Sequence, residues 1–135
     1  MNRTIIAAAL ALAGCGSVPL PTEEMQPPTR VILPGLMVPD SAKGRVTVKR
    51  DLGKPTGCTY HIYVDGSHAL EIQHRQGATL YLSPGEHVLS LRNSWACNSG
   101  DSEIAIVADA KREKVVRITT DSEARNSLQQ SALSP

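Results

Sequence analysis

The sequence predicts an all-β fold, an antiparallel sandwich of about seven short strands, and three observations carry that expectation. Seven runs of five to seven residues between positions 45 and 119 alternate apolar and polar side chains, the period-two pattern of strands buried on one face. Turn-forming segments separate them, namely DLGKPTGC, DG, RQG, SPG, NSWACNSGD and DAKRE. Short strands at this spacing build sandwiches or barrels. Aromatic side chains are confined to Tyr60, Tyr63, Tyr81 and Trp95, with no Phe. The core is therefore a thin one of Val, Ile, Leu and Ala.

With 135 residues, 41% hydrophobic and 20% charged, the chain accommodates one globular domain. Its first seventeen residues, MNRTIIAAALALAGCGS, carry the parts of an export signal: Arg3, an apolar run over residues 5–13, then small residues. The run is too short to span a bilayer. Leu12-Ala13-Gly14-Cys15 resembles the lipobox of bacterial lipoproteins, which implies that Cys15 carries lipid and becomes the N-terminus after cleavage, leaving residues 1–14 as signal peptide. The alternative is a plain thiol at Cys15. Removal of Arg3 lowers Lys plus Arg from 14 to 13, equal to the 13 acidic residues. Neutrality without a basic stripe argues against nucleic acid and assigns membrane attachment to acyl chains.

Residues 15–44 read as a tether, because six of the nine prolines (Pro19, Pro21, Pro27, Pro28, Pro34 and Pro39) forbid regular helix or a central strand. At about 3.1 Å per residue a polyproline-like tether holds the domain several tens of Å from the lipid. Its apolar piece, VILPGLMVP, either packs along the domain as an irregular edge segment or docks on a partner.

The domain itself, residues 45–120, contains strands at 45–50, 59–64, 68–73, 78–82, 86–92, 103–108 and 114–119. Residues 121–135 are an eighth strand through Leu128, a short helix capped by Asp121 or Ser122, or a frayed end. If consecutive strands alternate in direction, loops 51–58, 74–77 and 93–102 share one end. Cys58 and Cys97 lie in two of those loops, and with Cys15 set aside they are an even pair in an oxidising compartment, so a disulfide is expected rather than two free thiols. Closing a loop of about 40 residues contributes about 4 kcal/mol. The tether is expected to join at the opposite end, so that the stapled end points away from the membrane.

"HIYVDGSHALEIQH", residues 61–74, places three histidines, an Asp and a Glu close together. A two-residue Asp65-Gly66 turn would pair Val64 with Ser67 and put Tyr60 and Ile62 on the face opposite Leu70 and Ile72. A three-residue loop, 64–66, with left-handed Gly66 as a bulge pairs Tyr63 with Ser67 and gathers the four on one face. In that register His61 points outward while His68 and His74 share the inward parity, separated by roughly 20 Å. No shared metal site is then expected, and no C-x-x-C or H-E-x-x-H motif is present. Glu71 and Glu86 read as exposed carboxylates, Ser83 as a turn former and His87 as the start of a strand, so neither an active site nor a cofactor is expected.

The stretch IYVDGSHALEIQHRQGATLYLSPGEHVLSLR resembles the PEGA-type bacterial surface domain in its Val64-Asp65-Gly66 turn and in Pro84-Gly85-Glu86-His87 before an apolar strand. The wider arrangement of lipobox, Pro-rich segment and two-Cys sandwich is similar to small proteobacterial lipoproteins. These resemblances imply an immunoglobulin- or transthyretin-like sandwich and bring no catalytic residues. The expected function is a non-enzymatic, lipid-anchored envelope protein that meets a protein partner in the periplasm. The outer membrane is favoured because Gly16 and Ser17 lack the Asp that resembles a retention signal for the inner membrane. Alternatives are an accessory lipoprotein of a secretion system, and a periplasmic enzyme or enzyme inhibitor. Trp95, beside Cys97, is either a lid over the disulfide or an exposed partner-binding anchor with Arg92, Asn93, Asn98 and Asp101 as its polar rim.

Overall fold

The computed structural model describes residues 17–53, 57–94, 97, 100–121 and 123–131. All seven expected runs are strands, with bounds within one residue of those read from the sequence: β2 (Gly44–Arg50), β3 (Tyr60–Val64), β4 (Ser67–Ile72), β5 (Gly77–Leu82), β6 (Gly85–Asn93), β7 (Ser102–Ala108) and β8 (Lys114–Thr120). Two more lie outside that set, a two-residue β1 (Arg30–Val31) and β9 (Asn126–Gln130). They form two sheets, ordered β1-β4-β3-β6-β7 and β5-β2-β8-β9. Between the sheets Val46, Val48, Ile62, Ile72, Leu89, Leu91, Val116 and Ile118 are fully excluded from solvent, an aliphatic core as expected. Among the described residues no helix is long and apolar enough to cross a membrane.

The sandwich is not purely antiparallel. Because consecutive strands alternate in direction, β2 and β8 run the same way, and they pair in parallel from Val46 opposite Lys114 to Arg50 opposite Ile118. In an immunoglobulin arrangement the first two domain strands share a sheet; here β2 and β3 lie in different sheets. The strand order therefore departs from the immunoglobulin one of the two expected arrangements.

Of the readings for the tail, the strand is realised, with Ile118 opposite Leu128. Asp121 does accept backbone N–H groups, from Glu123 and Arg125, both at 2.9 Å. The chain then reverses through Ala124 in the left-handed region (φ 61°) instead of continuing as a helix. Burial of Leu128 in β9 outweighs the capping signal. Ser122 and residues 132–135 lie outside the described residues.

The expectation of a free tether is overturned for residues 17–43, which form a strap along the open side of the sandwich. Val18 exchanges two backbone hydrogen bonds with Leu52, at 2.9 and 2.8 Å, and Leu20 is fully buried. Gln26 donates to the Arg75 carbonyl and accepts from Gly77, and β1 pairs antiparallel with β4. A 3-10 turn over Pro34–Met37 covers the edge of β5, with Leu33, Leu36 and Met37 against the core. A Cβ at Gly77 would lie 2.4 Å from the Val48 carbonyl oxygen and 2.6 Å from the Met25 sulfur, so only glycine lets the strap close there. The prolines do exclude helix and central strand, but they leave an irregular edge segment free to bury apolar side chains. VILPGLMVP is therefore held within its own domain.

The strap begins at the end opposite to the one where the tether is expected to join. Strand alternation gathers the segments after β2, β4, β6 and β8 at one end, where Ser94 N–H donates to the Thr59 carbonyl and Arg50 N–H to that of Gln76. Ser17 and Val18 lie at this same end, against Asp51 and Leu52. The chain thus arrives at the stapled end and travels the length of the sandwich before β2 begins.

Candidate functional site

The histidine-rich hairpin folds differently from its expected register. Its turn is the two-residue one, with Asp65 (φ 49°) and Gly66 (φ 80°) both left-handed and Val64 opposite Ser67. The additional residue lies downstream: Ile62 pairs with Leu70 but Tyr63 with His68, leaving Ala69 as the bulge in β4. Ala69 and Leu70 consequently both face inward, which gathers Tyr60, Ile62, Leu70 and Ile72 in the core. The Ala69 carbonyl then accepts N–H groups from Ile32 and Leu33 of the strap, at 2.9 and 3.0 Å.

The bulge turns His68 outward, contrary to the parity argument. In a regular strand His68 and Glu71, three apart, would face opposite ways; the inserted residue puts them on the same outer face, together with His61 directly across from Glu71. Glu71 Oε1 lies 3.7 Å from His61 Nδ1 and 3.8 Å from His68 Nε2, and the three donor atoms fall within 4.8 Å of one another. Tyr63 stacks on His68 with centroids 4.8 Å apart, and the Arg92 guanidinium lies 5.2 Å from the Tyr63 ring. Nε2 of His68 is buried without a hydrogen bond. Burial, and then the proximity of His61, lowers the His68 pKa. Arg30 of β1, mostly exposed, reaches within 3.7 Å of Glu71. His74 stays apart from this group, beside Arg50 and Arg75, and burial lowers its pKa as well.

At the far end of the sandwich the two turn motifs meet. His87 Nδ1 lies 2.7 Å from Asp65 Oδ2, and its Nε2 lies 2.7 Å from the Ser83 carbonyl oxygen. Asp65 Oδ1 also accepts the Val88 N–H at 2.9 Å. Since a carboxylate and a carbonyl can only accept, both ring nitrogens must donate, which is the imidazolium form. Burial of the ring lowers the His87 pKa, but the bonds to Asp65 and Ser83 outweigh it and the net shift is upward. The same bond to His87 lowers the pKa of Asp65. Ser83 acts here as a turn residue offering its carbonyl.

The stapled end holds a buried polar cluster. Asp51, its side chain without solvent exposure, receives Arg117 through Nε at 3.1 and 3.0 Å and through a close second contact from the terminal nitrogen. Ser17 Oγ approaches the same carboxylate at 3.5 Å. Arg50 is buried with its guanidinium 4.4 Å from the Tyr60 ring centroid, and Lys49 donates to Thr22 of the strap at 3.0 Å. In the sequence, KRD looks like the end of a strand running into a turn; only the pairing of β2 with β8 shows that Arg117 reaches it.

Cys58 and Cys97 are joined by a disulfide with Cα atoms 5.9 Å apart. Cys15, Trp95 and Asn98 lie outside the described residues, and with them both readings of Trp95. Three residues of the expected rim, Arg92, Asn93 and Asp101, are among those described. Arg92 lies on the sheet face, its guanidinium over the Tyr63 ring. Asn93 is committed within the fold, donating to the Gly100 carbonyl and accepting from Asn126 at 3.2 Å. Asp101 is exposed.

No protein-family model, curated protein or solved structure matches the chain. Its function is read from its own residues.

Proposed function

We propose that the chain is a non-enzymatic lipoprotein of the bacterial envelope, anchored through Cys15, whose sandwich binds a protein partner in the periplasm. The observation that carries this reading is the lipobox-like Leu12-Ala13-Gly14-Cys15 in a chain whose other two cysteines are already joined to each other. Cys15 is the thiol left over, at the position that the motif modifies.

The strap alters how such a protein would stand. Two peptide units separate Cys15 from Ser17, at most about 7 Å of chain, in place of a spacer of several tens of Å. The domain then rests close to the bilayer with its stapled end down, and the surface offered to a partner is the opposite end, with the turns at 65–66, 83–84 and 109–113. In this reading β6 ends on the membrane side. Outer-membrane residence remains the favoured destination on the residues after Cys15.

Metabolic labelling with palmitate, combined with membrane fractionation, tests the anchor: Cys15→Ala is expected to abolish the label and release the protein, and unchanged fractionation would overturn the reading. A second reading, an accessory lipoprotein of a secretion system, is favoured by the strand order, which leaves the transthyretin-like arrangement resembling that of such accessories. Photocrosslinking from Lys111 at the far end separates the two, capturing a secretion component in one case and another envelope protein in the other.

A further inference from the structure

We propose that His61, His68 and Glu71 form a surface site for a late divalent transition metal, zinc being the natural probe. The inference is independent of the lipid anchor. It rests on three features of the outer face of the five-stranded sheet.

The donor set is the first. Two imidazoles and a carboxylate are a combination that binds Zn²⁺ while leaving a position for water or another ligand. The spacing is the second. Bonds of about 2.1 Å in a tetrahedral shell place donors about 3.4 Å apart. The distances of 3.7 and 3.8 Å to Glu71 Oε1 exceed this by only a few tenths of an ångström. All three donors already lie within 4.8 Å, so small side-chain rotations suffice. The third is the buried Nε2 of His68, which has no hydrogen bond and is directed toward Glu71. A buried polar atom without a partner costs free energy that a metal bond would recover.

The supporting structure is specific to this arrangement. The Ala69 bulge is what turns His68 to the side of Glu71. Tyr63 holds the His68 ring by stacking, and Arg92 backs Tyr63. In the metal-free protein Arg30 also approaches Glu71, at 3.7 Å and from a side chain 69% exposed, so it can leave without breaking a buried contact. Because Arg30 belongs to β1, metal binding would act on the edge where the strap meets β4.

The test is a Zn²⁺ titration of the untagged full-length protein in non-ionic detergent, against a chromophoric chelator, with Cys15 acylated or alkylated so that no thiol competes. One equivalent is expected to bind, with affinity lowered about a hundredfold or more by His61→Ala or His68→Ala, lowered also by Glu71→Gln, and unchanged by His74→Ala. Absence of saturable binding at one equivalent, or equal affinity in the His61→Ala, His68→Ala double variant, would overturn the site. Co²⁺ gives a readout that needs no substitution. Intense visible d–d bands of a low-coordinate ion are expected in the unmodified protein, and a six-coordinate, aquo-like spectrum throughout the titration would equally refute the proposal.

Discussion

At the end where the strap begins, Asp51 is buried against Arg117 and a disulfide joins two loops, whereas at the far end a half-exposed Asp65 meets His87 across two turns. Each set of contacts pins loops that would otherwise be held only by strand ends. They differ in what can undo them. The near pair loses its balance when Asp51 is removed, because Arg117, largely covered by the fold, is left without its counter-ion. The far contact is governed by protonation at ordinary pH.

The largest expected effect comes from the near end. Asp51→Ala strands Arg117 and removes the acceptor facing Ser17, and should cost about 3–5 kcal/mol in urea denaturation. A loss below about 1 kcal/mol would show that the pair is solvated and that the contrast between the two ends is false. Next is the disulfide, whose cysteines are 39 positions apart. The Cys58→Ser, Cys97→Ser protein should be less stable by about 2–4 kcal/mol, read from the same denaturation curves.

At the far end the effect is smaller and depends on pH. His87 has a folded pKa raised above its ordinary value of 6.5, so its stabilisation is complete below that value and is lost as pH rises through the folded one. His68 and His74 are shifted downward and act only on the acid side, where stability falls as pH drops below 6.5. Melting temperature should therefore decline from about pH 6.5 to pH 8.5 in the unmodified protein and stay flatter in His87→Gln. Parallel curves for the two would remove the far end from the comparison.

The seven domain strands were legible because each buries alternate residues, and a period of two survives whatever the neighbours are. The positions of the turns were legible as well, from Asp65-Gly66 and Pro84-Gly85, but not the form of the first, which is a two-residue turn where a three-residue loop is expected. The bulge was not. Ala69 fits either face of a strand, so nothing in its chemistry announces that it is unpaired, and the face of His68 depends on that one residue. The metal-capable cluster was missed for this reason. The strap was misread because proline density reports what backbone cannot form, not whether the chain packs. Leu20, Leu33, Leu36 and Met37 were the available signal, since apolar side chains in a spacer have nowhere to go but onto the domain. Arg117 and Asp51 lie 66 positions apart, and their meeting follows from the parallel pairing of β2 with β8, which no local pattern encodes.

The course of the strap has a mechanical meaning. Were the chain anchored and bound as proposed, a load between its two ends would reach the Val18–Leu52 pair first and the central strands last. Detached residue by residue, positions 17–43 would release roughly 90 Å of chain at about 3.3 Å per residue. β2 would still be clamped between β5 and β8. Under the proposed anchoring, the strap would be a wound-up leash, short at rest and extensible under tension.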